Sequence, residues 1–268
     1  MEKKHPDEIR TAVRHKYAEV AKNDSTGCGC SPSPSCCGDP TVSLGDLGTL
    51  TGYSQGELTG VPQGSNMGLG CGNPQAIAAL KPGETVLDLG SGGGFDCFLA
   101  AKQVGDTGRV IGVDMTPEMI SKARENALKG DYSNVEFRLG EIEHIPAADG
   151  SIDVIISNCV INLSPKKLDV FKEVFRILKP GGRLAISDVV ATAQLPPELK
   201  NDLDLLSACV SGAATLVEIK EMLQETGFQD IQIQTQDESR ELISHWVPGK
   251  NVEDYIVSAS IEAIKPKE

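Results

Sequence analysis

The chain has 268 residues, of which 40% are hydrophobic and 24% are charged, and its formal net charge at pH 7 is −13. This length and composition are those of a globular protein with one large core. The negative charge disfavours binding to a nucleic-acid backbone or an anionic membrane surface, and the aromatic content of 4% argues against a site built mainly from stacked aromatic side chains.

The N-terminal segment, residues 1–60, is predicted to contain one helix and a cysteine-rich loop. Residues 2–22 carry apolar side chains at helical spacing, namely Ile9, Val13, Tyr17 and Val20. The following stretch, NDSTGCGCSPSPSCCGDP, is too rich in glycine, serine, proline and cysteine for regular structure. The first residues, MEKKHPDEIR, lack the apolar core of a secretory signal, and no apolar run approaches the roughly 18–20 residues that span a bilayer. We therefore expect a cytoplasmic protein.

A regular alternation of strands and helices begins at Pro74 and characterises the central segment, residues 61–190. The predicted strands are TVLDLG, RVIGVD, VEFRLG, SIDVIISN and RLAISDVV. The predicted helices between them are FDCFLAAKQV, TPEMISKARENALK and KLDVFKEVFRILK, the second of which starts with Thr116 as its cap and Pro117 in its first turn. This alternation predicts an α/β fold with a mostly parallel, doubly wound sheet that helices cover on both faces.

The C-terminal segment, residues 191–268, has a weaker pattern. PPELKNDLDLLSACV and TLVEIKEMLQETG are predicted helices, and FQDIQIQTQ and YIVSASIEAIK are predicted strands that can close the same sheet at its edge. We interpret this segment as an α+β extension of the central fold.

A glycine-rich loop follows the first predicted strand. In VLDLGSGGGFDCFLA, glycines at 90 and 92–94 separate that strand from the next helix, where a nucleotide-like ligand lies in a doubly wound sheet. The dinucleotide pattern G-x-G-x-x-G fails, because its last position, counted from Gly90, is Phe95. The loop instead has the pattern D-x-G-x-G-x-G from Asp88 to Gly94. A tight turn without a ligand is the alternative interpretation.

Acidic residues follow the next two strands in the same register. Asp114 ends the second predicted strand, where a carboxylate can accept both hydroxyls of a ribose, and a solvated carboxylate is the alternative. Glu141 and Ile142 follow the third strand, near the expected position of an adenine ring. This spacing, with the LKPGGRL turn before the fifth strand, resembles that of class I methyltransferases that use S-adenosylmethionine. The candidate cofactor-binding residues are Asp88, Gly90, Ser91, Gly92, Gly94, Asp114, Met115, Glu141, Ile142 and Asn158.

Four of the eight cysteines lie outside the N-terminal loop. Cys159 follows the fourth predicted strand, where it would face a transferable methyl group, and Cys209 lies on a helix that can cap this site. Cys71 lies between glycines in NMGLGCGNPQ, where a side chain has little to pack against. For these three, a small buried side chain is the alternative to a reactive thiol, and Cys97 is predicted to be a core residue.

The other four cysteines, Cys28, Cys30, Cys36 and Cys37, form a C-x-C…C-C pattern. Structural zinc sites need two separated pairs with about two to four residues within each pair, so the pattern does not match them. Four thiols on a loop suit capture of a soft ion or disulfide exchange, and an incidental cysteine-rich loop is the alternative. A framework of structural disulfides is disfavoured in a reducing compartment.

Taken together, the motifs resemble those of the arsenite methyltransferases. The matching segments, between about residues 50 and 215, are GLGCGNP, VLDLGSGGGFD, VIGVDMTPEM, VEFRLGEIEHIP, SNCVINLSP, LKPGGRLAISDVV and CVSGA. The resemblance implies a Rossmann-like class I methyltransferase fold. It also implies transfer of a methyl group from S-adenosylmethionine to trivalent arsenic, in arsenite or methylarsenite, as a detoxification reaction.

The resemblance implies roles for individual cysteines as well. Cys159 and Cys209 would bind the trivalent arsenic, and Cys71 would join them in catalysis or relay reducing equivalents. An upstream cysteine would complete the relay, and this role falls on Cys36 or Cys37, with the two earlier cysteines as further candidates. A glutathione-like or thioredoxin-like thiol would reset the enzyme. We expect a monomer that binds neither nucleic acid nor a membrane.

Two other functions remain as alternatives. A methyltransferase of an organic acceptor, such as a quinone or sterol, would need an acceptor pocket but neither Cys159 nor Cys209. A thiol-rich protein that sequesters metalloids would bind arsenite and yield no product that depends on S-adenosylmethionine.

Overall fold

The structure is a computed structural model that describes residues 5–22, 48–200, 202–247 and 249–267. The strands are β1 (Thr85–Leu89), β2 (Arg109–Asp114), β3 (Val135–Leu139), β4 (Ile152–Asn158), β5 (Leu178–Ala191), β6 (Gln229–Gln236) and β7 (Ile256–Ile264). The α-helices with both ends in these ranges are α1 (Pro6–Lys22), α2 (Gln55–Thr59), α3 (Gln75–Ala78), α4 (Phe95–Val104), α5 (Pro117–Lys129), α6 (Lys167–Ile177), α7 (Pro197–Lys200), α8 (Leu203–Ser207), α9 (Leu216–Thr226) and α10 (Ser239–Ser244). Single 3₁₀ turns lie at Ile161–Leu163 and Val252–Asp254.

The strands form one sheet in the order β3-β2-β1-β4-β5-β7-β6. Strands β1 to β5 are parallel, whereas β7 is antiparallel to both of its neighbours. Successive side chains enter two different apolar layers, with Leu87 and Ile155 on one face and Val86 and Val154 on the other. The predicted α/β fold is confirmed, and the sheet contains strands from both sides of residue 190.

The topology places a ligand crevice at the ends of β1 and β4. Strand β1 pairs with β2 on one side and with β4 on the other, so the connections that leave these strands diverge there. Leu89 at the end of β1 is paired with Ser157 of β4. The glycine loop after β1 and the residues that follow Ser157, including Cys159, therefore lie next to each other.

Strand β5 differs from the prediction at its start. Helix α6 ends at Ile177 and the strand begins at Leu178, so the Pro-Gly-Gly sequence lies inside the strand instead of preceding it. The register against β4 shifts within this stretch. Gly181 donates its N–H to the Lys265 carbonyl (2.9 Å), and Lys265 donates to Gly182 (2.8 Å). Pairing with the distant chain end thus extends the strand.

The predicted helix that contains Cys209 is split into α7 and α8. Asp202 caps the second of these, because its carboxylate accepts the N–H groups of Asp204 and Leu205. Cys209 lies two residues beyond the end of α8 rather than on a helix, which corrects the prediction. Within the described ranges, every helix falls short of the length and hydropathy that a membrane crossing needs.

Candidate active site

A cavity of about 540 Å³ lies at the carboxyl ends of β1, β2 and β4. The predicted site residues that line it are Asp88, Gly90, Ser91, Gly92, Asp114, Met115, Ile142, Asn158 and Cys159. Three residues of α1 and three of the segment after β6 form walls that the sequence did not indicate, and these are Arg10, Val13, Tyr17, Leu242, His245 and Trp246. The N-terminal helix and the C-terminal segment therefore both help to enclose the site.

The glycine loop lines this cavity with backbone atoms and with one hydroxyl that has no hydrogen-bond partner among the described residues. Gly90 has a φ of 69°, and a Cβ atom there would overlap the side chain of Val160. The Ser91 side chain is 7% exposed, and its hydroxyl finds no hydrogen-bond partner among the described residues. A loop of this kind at the start of α4 fits a ligand that supplies its own hydrogen-bonding groups, as S-adenosylmethionine does.

Asp114 is held in a fixed orientation at the end of β2. One carboxylate oxygen accepts the Gly92 N–H (3.0 Å) and the other accepts the Thr116 N–H (2.8 Å). Burial raises the pKa of this carboxyl, and the two backbone hydrogen bonds oppose that effect. The carboxylate therefore ties the glycine loop to β2 while it lines the cavity, which supports its predicted role as a ribose ligand.

Glu141 does not line the cavity, whereas the two residues that follow it do. Its carboxylate forms ion pairs with Arg10 (3.4 Å) and Arg14 (3.3 Å) of α1. Ile142 and Glu143 line the cavity, and Glu143 accepts hydrogen bonds from Arg10 (3.1 Å) and the Ser164 hydroxyl (2.8 Å). The assignment of Glu141 to the cofactor stays a prediction, and Glu143 is a residue that the sequence pattern missed.

A buried polar cluster lies beneath the glycine loop. The Tyr53 hydroxyl donates to Asp96 (2.8 Å), and the Asn158 amide donates to both the Tyr53 oxygen (3.0 Å) and Asp96 (3.4 Å). The Cys97 thiol, in the apolar core, donates to Asp88 (3.3 Å). Burial raises the pKa of Asp96 to about 6, and burial together with Asp96 raises the pKa of Asp88 strongly.

Replacing Asp96 by asparagine should change how stability depends on pH. The folded-state pKa of about 6 exceeds the ordinary value of 3.8, so the folded protein retains a proton that the unfolded chain has already released. The free energy of unfolding should therefore fall between about pH 4 and pH 6, by roughly 2–3 kcal/mol in total, through this one group. The variant lacks this contribution. Denaturant titrations of both proteins from pH 4 to pH 7 measure it, and identical pH profiles would contradict it.

Three of the candidate cysteines lie close together. Cys71 and Cys159 form a disulfide across 88 residues of sequence, with their Cα atoms 5.9 Å apart. The Cys209 thiol donates to the Cys159 carbonyl oxygen (2.9 Å), and burial raises the thiol pKa well above its ordinary value. Both Cys159 and Cys209 line a second cavity of about 80 Å³, together with Tyr17 and Trp246. Cys28, Cys30, Cys36 and Cys37 lie outside the described residues.

Cys159 and Cys209 also share an uncommon backbone conformation. Their φ angles are 59° and 61°, in the left-handed region that side chains other than glycine rarely occupy. At the end of α8, Cys209 donates to Leu206 (2.8 Å) and Val210 donates to Leu205 (2.9 Å), the two hydrogen bonds of a Schellman motif. Cysteine thus occupies a position that usually holds glycine. Such strain concentrates at functional sites.

Asp188 of β5 is a further member of the site that the sequence analysis missed. Its carboxylate lies within 4.8 Å of the sulfurs of Cys71 and Cys159. The residue is 1% exposed, and burial raises the pKa of its carboxyl to about 6. An acidic residue inside the apolar run AISDVV was the available signal.

Several known proteins are similar to this chain. A family model described as a methyltransferase domain matches residues 80–227. The arsenite methyltransferase of Halobacterium salinarum is 53% identical over 97% of this chain and 68% of its own length, and that of Homo sapiens is 39% identical over 53% of this chain. The match spans 40% of the human relative. The crystal structure of an arsenic(III) S-adenosylmethionine methyltransferase from Chlamydomonas reinhardtii, 33% identical, has a TM-score of 0.59 and covers 85% of this chain and 75% of that one.

Proposed function

The chain belongs to the arsenite methyltransferases, and from that premise we propose that it transfers a methyl group from S-adenosylmethionine to trivalent arsenic held by its cysteine sulfurs. One observation links the proposal to particular residues of this chain. Cys159 lines both the large cavity at the strand ends and the small cavity that it shares with Cys209. An atom bound to its sulfur would lie between the two compartments.

The large cavity fits the methyl donor. When bound, S-adenosylmethionine supplies an electrophilic methyl group on a sulfonium that leaves as a neutral thioether. Asp114 would accept the ribose hydroxyls, Ser91 and the open glycine loop would meet the polar part of the cofactor, and Ile142 would contact the adenine.

The cysteines would bind the acceptor. Arsenite is neutral near pH 7, and thiols displace its hydroxyls as water, which gives a soft ion the sulfur ligands that it prefers. Arsenic keeps its lone pair, so it is itself the nucleophile and no general base is needed. Ligands from two separate segments, Cys159 and Cys209, would restrict the direction in which this lone pair points.

The disulfide supports a redox part of the proposal. Methyl transfer converts the arsenic lone pair into an As–C bond and leaves arsenic formally pentavalent. Its return to the trivalent state takes two electrons, which two thiols supply when they form one disulfide. Cys71 and Cys159 are such a pair, and an external thiol would regenerate them, with Cys36 or Cys37 as relay candidates. A cytoplasmic monomer with a glutathione-like or thioredoxin-like reductant fits this cycle.

The decisive experiment incubates the full chain with arsenite, a thiol reductant and S-adenosylmethionine labelled on its methyl group, and separates the arsenic species formed. We expect labelled methylated arsenicals. Tight arsenite binding without any labelled product would support the sequestering alternative. A parallel incubation replaces arsenite by a quinone or a sterol, and labelling of that acceptor but not of arsenic would support the organic-acceptor alternative.

Replacing Asp114 by alanine should weaken the binding of S-adenosylmethionine by about tenfold or more. The change removes a ligand of the ribose and also frees Gly92 and Thr116, whose N–H groups the carboxylate accepts. Calorimetric titration of the cofactor into the reduced protein gives the dissociation constant. Asp106→Ala, at an exposed aspartate after α4, is the matched control and should bind the cofactor as the wild type does. Unchanged affinity in the Asp114 variant would remove this residue from the site.

A further inference from the structure

A buried hydrogen-bond network joins the two segments that carry Cys159 and Cys209. Its first member is Asp188, whose carboxylate accepts the backbone N–H of Ile161 (2.9 Å) and the side-chain amide of Asn162 (2.9 Å). It also accepts the N–H of Val189 (2.8 Å), so the carboxylate is anchored to its own strand. Because Ile161 is two residues after Cys159, these bonds fix the strained turn in which Cys159 lies.

The second member, Asn162, extends this anchor to the other segment. Its amide nitrogen donates to the Val189 carbonyl (2.6 Å) as well as to Asp188, and its amide oxygen accepts the N–H of Ala214 (3.3 Å). Both Asn162 and Asp188 are at least 98% buried, so water does not compete for these bonds. One side chain therefore connects the segment after β4 with the segment after α8.

Close packing in the same place leaves little freedom between the segments. A Cβ atom on Gly212 would overlap the carbonyl oxygen of Asn162, so glycine is required for this approach. Three residues earlier, the Cys209 thiol reaches the Cys159 carbonyl (2.9 Å). The relative position of the two cysteine segments is thus fixed largely by contacts outside the two sulfurs, at Asn162, Asp188 and Gly212.

We propose that Asp188 and Asn162 are positioning residues that hold Cys159 and Cys209 at the separation needed for both sulfurs to bind one arsenic atom. The inference rests on the proposed function and deepens it. Two thiols bind one atom much more tightly than either does alone only when their geometry permits simultaneous contact. Loosening the network should therefore weaken two-thiol binding without changing how each thiol reacts singly.

The test uses full-length, reduced Asn162→Ala and Asp188→Asn proteins. Arsenite affinity is read from the fluorescence of Trp246, the single tryptophan of the chain, which lines the small cavity with both cysteines. We expect the dissociation constant for arsenite to rise about tenfold or more in each variant. The affinity for S-adenosylmethionine in both variants should stay within about twofold of wild type, and so should the alkylation rates of Cys159 and Cys209 with iodoacetamide, a one-thiol reagent, in Asn162→Ala.

Asn134→Ala is the matched control, because this amide also bonds two backbone carbonyls but lies away from the site. It should lower stability without affecting arsenite binding. If Asn162→Ala does not fold, Asp188→Asn, which preserves side-chain size, decides the question. Arsenite affinity within twofold of wild type in the folded variants would overturn this inference but not the proposed function. So would a variant that binds S-adenosylmethionine as weakly as it binds arsenite and whose thiols are alkylated faster than those of the wild type. Reduced wild-type protein that bound no arsenite would overturn the proposed function and this inference with it.

Discussion

Replacing Cys159 by serine should lower arsenic methylation on the order of a thousandfold or more, to the limit of detection. Cys159 lines both the large cavity and the small cavity that it shares with Cys209, so its sulfur, once reduced, is the ligand that would present arsenic to the methyl donor. A serine hydroxyl is a hard oxygen ligand. Arsenite already carries hydroxyls, so exchanging one of them for the serine oxygen would not be favourable. Of the two described cysteines at the small cavity, Cys209 would remain, and it would hold arsenic by one bond without a fixed direction.

The measurement is the rate of labelled methylarsenical formation at saturating cofactor, together with the affinity for S-adenosylmethionine. Because the glycine loop and Asp114 are untouched, cofactor binding should stay within about twofold of wild type. Cys97→Ser is the matched control: it makes the same chemical change at another buried thiol, and the new hydroxyl can still donate to Asp88. Its methylation rate should remain within about fivefold of wild type. An unchanged rate of methylarsenical formation in Cys159→Ser would instead remove Cys159 from the arsenic ligands.

The fold was predictable because its strands are encoded locally. Each central strand is a short apolar run, most of these strands are followed by a helix, and this alternation predicts a mostly parallel sheet. The start of β5 was not predictable in this way. Pro and Gly are both unfavourable inside a strand, and pairing with Lys265, more than eighty residues later, helps to keep the Pro-Gly-Gly sequence within the sheet.

The site was predictable where its residues lie at strand ends and not where distant segments meet. The glycine loop, Asp114 and Cys159 follow from position alone, because parallel strands bring their carboxyl ends to one edge. Tyr17 and Trp246 line the cavity because α1 and the segment after β6 pack against it. The motifs at the strand ends give no indication of this packing. Asn162 lies within the motif SNCVINLSP, but its hydrogen bond to Ala214 depends on how two distant segments pack together.

The pairing of Cys71 with Cys159 is the part of the site with the largest consequence for handling the protein. The family resemblance implied that Cys71 takes part in catalysis or relays reducing equivalents, and the structure joins it to the cysteine that the proposal assigns to arsenic. A sulfur engaged in a disulfide cannot bind arsenic, so the oxidised protein should retain only Cys209 at the small cavity among the described residues. Reduction of the enzyme would therefore precede substrate binding as well as follow methyl transfer.

Without a reductant, arsenite binding at this site should consequently fall at least about tenfold, and methylation should fall to background. Trp246 fluorescence during arsenite titration of the oxidised and reduced protein measures the binding, and product speciation measures the turnover.

The variant Cys71→Ser separates arsenite binding from turnover. Its Cys159 has no partner at position 71 to pair with, so this variant should bind arsenite at the small cavity without added thiol, while its turnover should still be impaired because the pair can no longer supply two electrons. If Cys71→Ser needed reductant for binding as strongly as wild type does, the thiol that blocks Cys159 would be another one, and the N-terminal cysteines would take the place of Cys71 in the cycle.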